Sequence, residues 1–359
     1  MDRWLINKKL IAISAIVLAI LVLTAVFGAR FAASYYYKKG AEAFLQNNFP
    51  AAKSNFATSL IFDSKNPKTH YFLGKIALGL PAPKQSVYYP QADYKEAVKH
   101  YEKSVSLGLE KKNQNLYGVT LEDLGGAYWN LNELDKAREK YLEKISKFPE
   151  SSFWARYFIA LDDYNRLNKP EEALEILSPA PALAVSDNDR WNFFRIHALM
   201  ALLNYYFSDY ANVEKYAKLV TENVGPENKD WGVQIAHSFL ALNYGRQKKF
   251  TLAESEIKKA NNLAESEGAY NCFLAAAYAA GENYSKAISI TEKANKTANT
   301  NNDSVCLRVL AISYLAQGDK IEAKKYMEEY LSFTEKLAEK NIFVMRNRQQ
   351  FADELLKLK

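Results

Sequence analysis

Cysteine and histidine, on which many metal sites depend, are scarce in this sequence. Its 359 residues include two cysteines and four histidines. The histidines, His70, His100, His197 and His237, are far apart, and neither a His-x-x-x-His nor a Cys-x-x-Cys spacing occurs. Because structural and catalytic metals are held by clustered ligands of these types, we predict no metal site.

The two cysteines are also too few for a disulfide framework. Cys272 and Cys306 lie 34 residues apart. A bridge between them would require Cα atoms within about 7 Å of each other. We favour two buried thiols, because free cysteine commonly packs in protein cores.

The short motifs of common catalytic sites are missing as well. Gly74-Lys75 has neither the earlier glycine nor the following Ser or Thr of a phosphate-binding loop, and no Gly-x-Ser-x-Gly elbow occurs. Asp162 and Asp163 are adjacent, and neighbours on a helix point about 100° apart, so we expect solvated charges. We therefore predict no enzyme activity, no cofactor and no small-molecule substrate. An enzyme, or an enzyme's regulatory subunit, would need an active site that these spacings do not show.

The formal charge of +6 is concentrated at one end. Residues 1–40 contain six basic residues and one acidic residue, which leaves 41 basic and 40 acidic residues in the rest. A nucleic-acid-binding protein would carry a basic surface on its folded domain. The distribution indicates a membrane flank and argues against nucleic acid as a partner.

A long apolar run follows the basic tail of residues 1–9. Residues 10–27 carry no charge and would form a helix of about 27 Å. With Gly28 and Ala29 the run reaches bilayer thickness, so we predict a transmembrane helix over residues 10–29. No proline precedes Pro50, so this helix can continue into the next one, near residues 35–44. A cleaved signal peptide is the main alternative, although Val26-Phe27-Gly28 is a poor cleavage site, and a buried core helix is another.

Basic residues lie on both sides of the apolar run, so charge favours one orientation across the membrane only slightly. Arg3, Lys8 and Lys9 precede it, and Arg30, Lys38 and Lys39 follow it. The positive-inside rule slightly favours a cytoplasmic N-terminus. We expect a single-pass protein whose remaining residues are extracytoplasmic, and periplasmic if the chain is bacterial.

Small residues recur through the rest of the chain every 34 to 45 residues. They are Ala52, Ala97, Ala137, Ala173, Val213, Ala253, Ala287 and Ala323. A fixed period of this size is typical of an array of helical repeats.

The clearest copy has Leu121, Leu124-Gly125, Tyr128, Ala137, Tyr141 and Pro149 in sequence. This pattern resembles the tetratricopeptide repeat (TPR), with Leu121 in place of the leading Trp. The resemblance implies an all-α fold, a right-handed superhelical solenoid of about eight helix pairs over residues 30–332. The fourth copy, around Leu161 and Ala173, and the fifth, around Ala201 and Val213, match least well.

Two segments depart from the period. Residues 79–91 insert three prolines between the two helices of the second copy, and Tyr88 and Tyr89 make this insertion either a contact site or a neutral surface loop. Residues 333–359 have apolar residues at helical spacing, namely Leu337, Val344, Phe351, Leu355 and Leu358. We predict a capping helix here, with a partner-binding tail as the alternative.

In TPR proteins the first helix of each pair lines a concave groove that holds a peptide or a partner helix. The resemblance places six residues there, namely Trp129, Phe158, Asn165, Tyr205, Arg246 and Arg308. Their mixture of aromatic and basic groups suits an extended peptide or an amphipathic helix. Core packing between helices is the alternative role for each of them.

These features predict a membrane-anchored TPR scaffold that mediates protein–protein interactions in the assembly or organisation of a membrane-bound complex for envelope, secretion or motility functions. A receptor or chaperone-like module that captures client polypeptides at the membrane is the alternative. Some TPR proteins grip chaperone tails with Lys-x-x-x-Asn and a later Lys-x-x-x-Arg. Lys111 and Asn115 match the first half, but no Lys-x-x-x-Arg occurs, which argues against a chaperone-docking adaptor and weakens the analogy with anchored import receptors.

Overall fold

The computed structural model describes residues 2–79, 92–183, 190–223, 231–264, 270–297, 304–335 and 342–358. All regular secondary structure in these residues is helical. The helices form two units, Met1–Phe148 and Pro149–Lys359.

The described residues of the first unit form seven helices: α1 (Asp2–Leu45), α2 (Phe49–Phe62), α3 (Pro67–Ala77), α4 (Tyr94–Ser106), α5 (Leu109–Lys112), α6 (Gln114–Asn130) and α7 (Leu134–Lys147). The three antiparallel pairs α1/α2, α3/α4 and α6/α7 are its main contacts. They correspond to the first three sequence repeats.

The second unit begins with a 3-10 turn, Pro149–Ser151, and continues through α8 (Phe153–Asn165), α9 (Pro170–Leu177), α10 (Ala180–Leu183), α11 (Arg190–Tyr206), α12 (Tyr210–Glu222), α13 (Trp231–Arg246), α14 (Phe250–Leu263), α15 (Asn271–Ala280), α16 (Tyr284–Thr297), α17 (Ser304–Ala316), α18 (Lys320–Phe333) and α19 (Ile342–Lys357). Its five pairs are α8/α9, α11/α12, α13/α14, α15/α16 and α17/α18. The prediction of about eight helix pairs is confirmed, and the weakly matching fourth and fifth copies are pairs like the others.

The periodic small residues are the points of closest helix contact. All seven alanines and Val213 have no exposed surface. In the first three pairs a glycine of the first helix faces an aromatic ring of the second: a Cβ on Gly40, Gly74 or Gly125 would lie 2.7 Å from that ring. Only hydrogen fits there, so these glycines set the spacing between the paired helices.

The turns within the pairs share one backbone conformation. In seven copies a residue of positive φ lies five positions before the small residue of the second helix. These residues are Asn47, Asn132, Asn168, Ser208, Lys248, Glu282 and Gly318. Backbone hydrogen bonds close several of these turns, for example Asp209 N to Asn204 O at 2.9 Å and Asp319 N to Tyr314 O at 3.0 Å. Left-handed residues that end a helix in this way allow the chain to reverse direction within two or three residues.

Neighbouring pairs are tied by a recurrent bond from a tyrosine of one first helix to a glutamate of the preceding second helix. Tyr278 donates to Glu254 at 2.6 Å, and Tyr314 donates to Glu292 at 2.9 Å. The Tyr128 hydroxyl binds Glu102 in the same manner. The motif tyrosine therefore joins repeats together as well as filling space within one.

Helix α19 covers the apolar end of the last pair, as the sequence predicts. Phe351 is buried against Leu307, Met327 and Tyr330, and its ring meets that of Tyr330 at 5.1 Å. Arg348 donates to the Thr334 hydroxyl at 2.9 Å and to the Leu331 carbonyl. Leu355 and Leu358 pack against the same cluster, whereas Leu337 lies outside the described residues.

Helix α1 runs unbroken from Asp2 to Leu45, as the absence of proline predicts. Its stretch Ser14–Leu45 is long and apolar enough to cross a membrane, and the most apolar part buries none of its surface in the protein. A membrane anchor and a signal sequence both meet this description. The C-terminal end of the same helix is the first helix of the first pair.

Two expectations about polar residues are wrong. Cys272 on α15 and Cys306 on α17 form a buried disulfide, with Cα atoms 5.0 Å apart, where two thiols were expected. The first helices of adjacent pairs pack side by side, which brings the equivalent positions of the two repeats together.

The adjacent carboxylates are the second error. Asp162 and Asp163 each expose 2% of their surface and are not solvated. Arg166, one turn later, donates to both carboxylate oxygens of Asp162 at 2.5 and 2.9 Å. Helix α8 contacts both α9 and α10, so side chains that point 100° apart can both face protein.

Two glycine-to-alanine changes, one in a left-handed turn and one inside a helix, should have opposite effects on the free energy of unfolding. Gly318→Ala should destabilise the chain by about 1 kcal/mol, because φ is +83° there and nothing within 4 Å could clash with the new methyl group. Gly126→Ala, inside α6 with its new methyl in ordinary contact with Tyr141 at 3.7 Å, should stabilise it by about 0.5–1 kcal/mol. Urea denaturation of the full chain in detergent, followed by circular dichroism, measures both. Equal losses for the two variants would contradict the turn conformation.

Candidate partner-binding site

Two of the six predicted groove residues meet in the second unit, at Tyr210. The Tyr205 ring of α11 lies 6.0 Å from the Tyr210 ring and 5.6 Å from the Phe239 ring of α13. The Arg246 guanidinium carbon lies 3.6 Å from the centre of the Tyr210 ring. A row of three aromatic rings therefore ends in an exposed cation.

Local sequence positions Tyr210 at this point. Ser208 has φ +61°, which ends α11, and Asp209 caps α12 by accepting from Asn212 N at 3.2 Å. Tyr210 is consequently the first residue of α12, where its ring can reach the C-terminal end of α13. The stacking of Arg246 on the ring combines cation–π attraction with packing of its planar group.

Beside this stack, Glu214 accepts from three groups and has little capacity left. Lys218 donates to one carboxylate oxygen at 2.7 Å, and Asn243 and Gln247 donate to the other at 2.9 and 3.4 Å. The hydrogen bond from Lys218 is the main reason that the pKa of Glu214 lies below its ordinary value. Among the described residues no carboxylate forms an ion pair with Arg246.

These groups line a cleft of about 310 Å³ between α12 and α13. Its lining residues are Tyr210, Ala211, Glu214, Asn243, Arg246 and Gln247. The volume is at the lower end of the range for small-molecule pockets. The cleft therefore suits one side chain of a protein partner, held by an aromatic face, amide groups and a guanidinium that binds carboxylates in a planar geometry.

A second cleft occupies the equivalent place one repeat earlier. It has a volume of about 420 Å³, lies between α9 and the end of α11, and is lined by Glu171, Leu174, Glu175, Ser178 and Phe207. Its surface is apolar with two acidic residues, whereas the Arg246 cleft has one basic and one acidic lining residue. The two clefts therefore suit different side chains of a partner.

The other predicted groove residues have separate surroundings. Trp129 is half-buried on α6 of the first unit. Phe158 packs on Trp154 at 5.4 Å and joins a hydrophobic cluster, and Asn165 is half-buried at the end of α8. Arg308 is half-buried on α17, close enough to Tyr330 to influence its pKa. Tyr88 and Tyr89 lie outside the described residues.

Sequence reasoning missed five of the six residues that line the Arg246 cleft, namely Tyr210, Ala211, Glu214, Asn243 and Gln247. Three of them are polar residues that a repeat pattern does not single out. The sequence does contain a signal for this cleft. An aromatic residue, Tyr210, begins the second helix of one pair, and an arginine, Arg246, ends the first helix of the next pair.

Two of the four histidines form a pair that their spacing did not reveal. His70 and His100, on α3 and α4, face each other with 3.0 Å between their Nδ1 atoms, and His100 Nε2 lies 3.1 Å from Glu96. Burial lowers the pKa of both imidazoles. His237 binds Glu256 at 2.6 Å. Within the described part of the chain, no group of three potential ligands could hold a metal ion.

A largely buried network of charged side chains joins α3, α4, α6 and α7 in the first unit. Lys75 binds Asp123 at 2.7 Å, and Tyr101 donates to the same carboxylate at 3.1 Å. Burial raises the pKa of Glu122 to about 7, although the ammonium group of Lys144, 3.7 Å away, opposes this shift. Glu122 therefore gains a proton on folding near neutral pH.

Glu122 predicts a pH dependence of stability. Its pKa is raised from 4.5 in the unfolded chain to about 7 in the folded protein. Between these values folding requires the uptake of a proton, so the contribution of Glu122 to the free energy of unfolding falls as pH rises. Glu122→Gln removes this titration. The variant should match the parent near pH 4.5 and exceed its free energy of unfolding by about 1–3 kcal/mol at pH 8, because the side chain is partly exposed and the full shift is not realised.

Urea denaturation at several pH values measures the difference in free energy of unfolding between the variant and the parent. Both chains contain the same histidines, so histidine titration does not contribute to this difference. Glu139→Gln, whose side chain on α7 is 67% exposed, is the control and should show no trend. A constant difference for Glu122→Gln across the range would contradict the raised pKa.

Comparison with known proteins supports the architecture. No family model and no curated protein matches the chain. Among solved structures, PilF of Pseudomonas aeruginosa is 18% identical with a TM-score of 0.51, covering 69% of this chain and 99% of PilF. Yeast Tom70 is 15% identical with a TM-score of 0.36, covering 91% of this chain and 88% of Tom70. The TPR domain of P58(IPK) is 15% identical with a TM-score of 0.26, covering 98% and 96%.

At these identities the likeness to PilF shows the fold alone. With the helix pairs, it identifies an α-helical array of the TPR type.

Proposed function

We propose that this protein is a single-pass membrane scaffold whose TPR array, outside the cytoplasm, holds protein partners in the assembly or organisation of a membrane-bound complex. The observation that carries the proposal is the unbroken helix α1, which joins an apolar N-terminal half to the first helix pair. A helix without a flexible linker connects the array to the bilayer at a defined point.

The apolar segment and the first helix pair are directly adjoining parts of α1. Helix α1 pairs with α2, and Ala33, only four residues after Ala29, accepts a hydrogen bond from Ser59 at 2.8 Å. Ala33 is buried in the first pair. The apolar run therefore ends one helical turn before residues that the fold needs.

The Cys272–Cys306 disulfide supports the extracytoplasmic side. Disulfides form and persist in oxidising compartments and are rare in a reducing cytoplasm. Both sulfurs are buried between α15 and α17, so the bridge is a structural link between adjacent repeats.

Protein partners are supported by the two clefts of the second unit. Each is too small for a large ligand but accepts a side chain, and together they present an aromatic–arginine stack and an acidic, apolar surface. Interface hot spots are enriched in such tyrosine and arginine residues.

An extracytoplasmic location predicts that Cys272 and Cys306 are oxidised in the native protein. Chain extracted from native membranes and denatured without reductant should take up no thiol-reactive polymer, and after reduction it should take up two. Loss of the bridge in Cys272→Ser/Cys306→Ser should lower the free energy of unfolding by about 3–4 kcal/mol, from the entropy of a closed loop of 34 residues. Labelling before reduction would argue for a reducing compartment and against the proposed orientation.

The partner is sought with the full-length chain, extracted from its own membranes in mild detergent with bound proteins identified by mass spectrometry. A few proteins in fixed ratio are expected. Arg246→Ala should reduce their recovery about tenfold, as loss of a hot-spot arginine does. Lys215→Ala is the control, because Lys215 lies over the Tyr216 ring on the same helix, 5.1 Å away, without lining the cleft.

A broad, substoichiometric set of bound proteins would favour a client-capturing receptor over a scaffold. Equal losses for Arg246→Ala and Lys215→Ala would reject the cleft as the binding site.

A further inference from the structure

Exposed apolar side chains gather at one end of the first helix pair. Phe31 and Tyr35 of α1 and Ile61 and Phe62 of α2 are exposed, by 76%, 45%, 78% and 42% of their surface. Phe62 stacks on Tyr36 of α1, with ring centres 6.1 Å apart. The exposed side chains of the two helices thus lie at the same end of the pair, and we call them the membrane-side patch (Phe31, Tyr35, Ile61 and Phe62).

The pairing of α1 with α2 fixes the level of this patch relative to the apolar segment. Ser59 donates to the Ala33 carbonyl at 2.8 Å, so the two residues lie at the same height. Because the helices are antiparallel, Ile61 lies level with about residue 31 of α1. The uncharged run ends at Ala29, so Ile61 is about 3 Å beyond it.

That height falls inside the interfacial layer of a bilayer, which extends about 5–8 Å beyond the hydrocarbon core on each side. Tyrosine and other amphipathic aromatic residues concentrate in this layer, and basic residues flank it. Arg30 and Lys65 are exposed close to the patch, with Asp63 as the neighbouring acid. A large apolar surface that faced water here would be unfavourable.

We propose that the membrane-side patch is a second membrane contact, in which the C-terminal end of α2 enters the headgroup–acyl boundary of the lipid bilayer beside the anchor. This inference rests on the proposed membrane anchor. Its partner is the bilayer interface itself. Attachment at two points fixes both the tilt of the first helix pair and its rotation about α1.

Spin labels on single introduced cysteines test the contact in nanodiscs that hold one full-length chain. Ile61→Cys examines the patch and Leu21→Cys examines the anchor. Leu45→Cys is the matched control, because Leu45 is 71% exposed at the opposite end of the same pair, about 24 Å beyond Ala29. Parent chain carried through the same labelling reaction is the blank.

Accessibility to oxygen, which concentrates in lipid, is compared with accessibility to a polar nickel chelate. The label at 61 should resemble that at 21, with the chelate excluded, whereas the label at 45 should be freely accessible to the chelate. If 61 resembles 45 while 21 remains in lipid, the second contact is rejected and the anchor stands. If 21 is accessible to the chelate, the anchor itself is rejected, and this inference with it.

A second measurement places the label beside the patch, so that the patch itself can be kept or changed. Ser64→Cys places the label in the exposed loop after α2. In the parent background it should lie near the headgroups and show partial exclusion of the chelate, and in an Ile61→Gln/Phe62→Gln background it should become fully accessible. Identical accessibility in the two backgrounds would overturn the proposal.

Discussion

Close approach of two helices at small residues is the interaction on which this fold depends. Each pair places a fully buried alanine, or Val213, on its second helix. In the first three pairs a glycine of the first helix lies against an aromatic ring, whereas the last four pairs have Ala201, Ala241, Ala275 or Ala311 at that place and a smaller residue opposite. Volume lost on the second helix is thus balanced by volume added on the first, as dense packing requires. A pair built in this way is thin and leaves an apolar face, which the next pair or α19 must cover.

The turn conformation is the second constant, and it explains why weakly matching copies still form pairs. Asn168 and Ser208 have the same positive φ as the turn residues of the clear copies, five positions before the small residue. Backbone geometry and one small contact thus define the pair. The tyrosine and the closing proline strengthen the pattern in sequence but are not required for it. This separation lets the outer side chains vary, so the surface can diverge without loss of the architecture.

The fold was predictable because a repeat is a local pattern, whereas the candidate site depends on how helices rotate against each other. A period of 34 to 45 residues is visible in the sequence itself. The disulfide, the His70–His100 pair and the Arg246–Tyr210 stack join residues 30 to 36 apart on different helices, within one repeat for the histidines and between neighbouring repeats for the other two. An error of one residue in register turns a side chain by about 100°. For the same reason Asp162 was expected in solvent but lies in protein.

The unbroken course of α1 has a mechanical consequence that a flexible linker would not have. Gly28 is the only glycine before Gly40, it lies at the end of the uncharged run, and a Cβ there would meet nothing within 4 Å. Packing does not explain its presence, and glycine is the residue that costs a helix most after proline. Any bend of α1 is cheapest at this point, between the apolar run and the buried Ala33. A bend there would move α2 together with the rest of the first pair, because the Ser59–Ala33 bond lies beyond it. Whatever holds the end of α2 against the bilayer therefore sets the angle at which the first helix pair leaves the membrane.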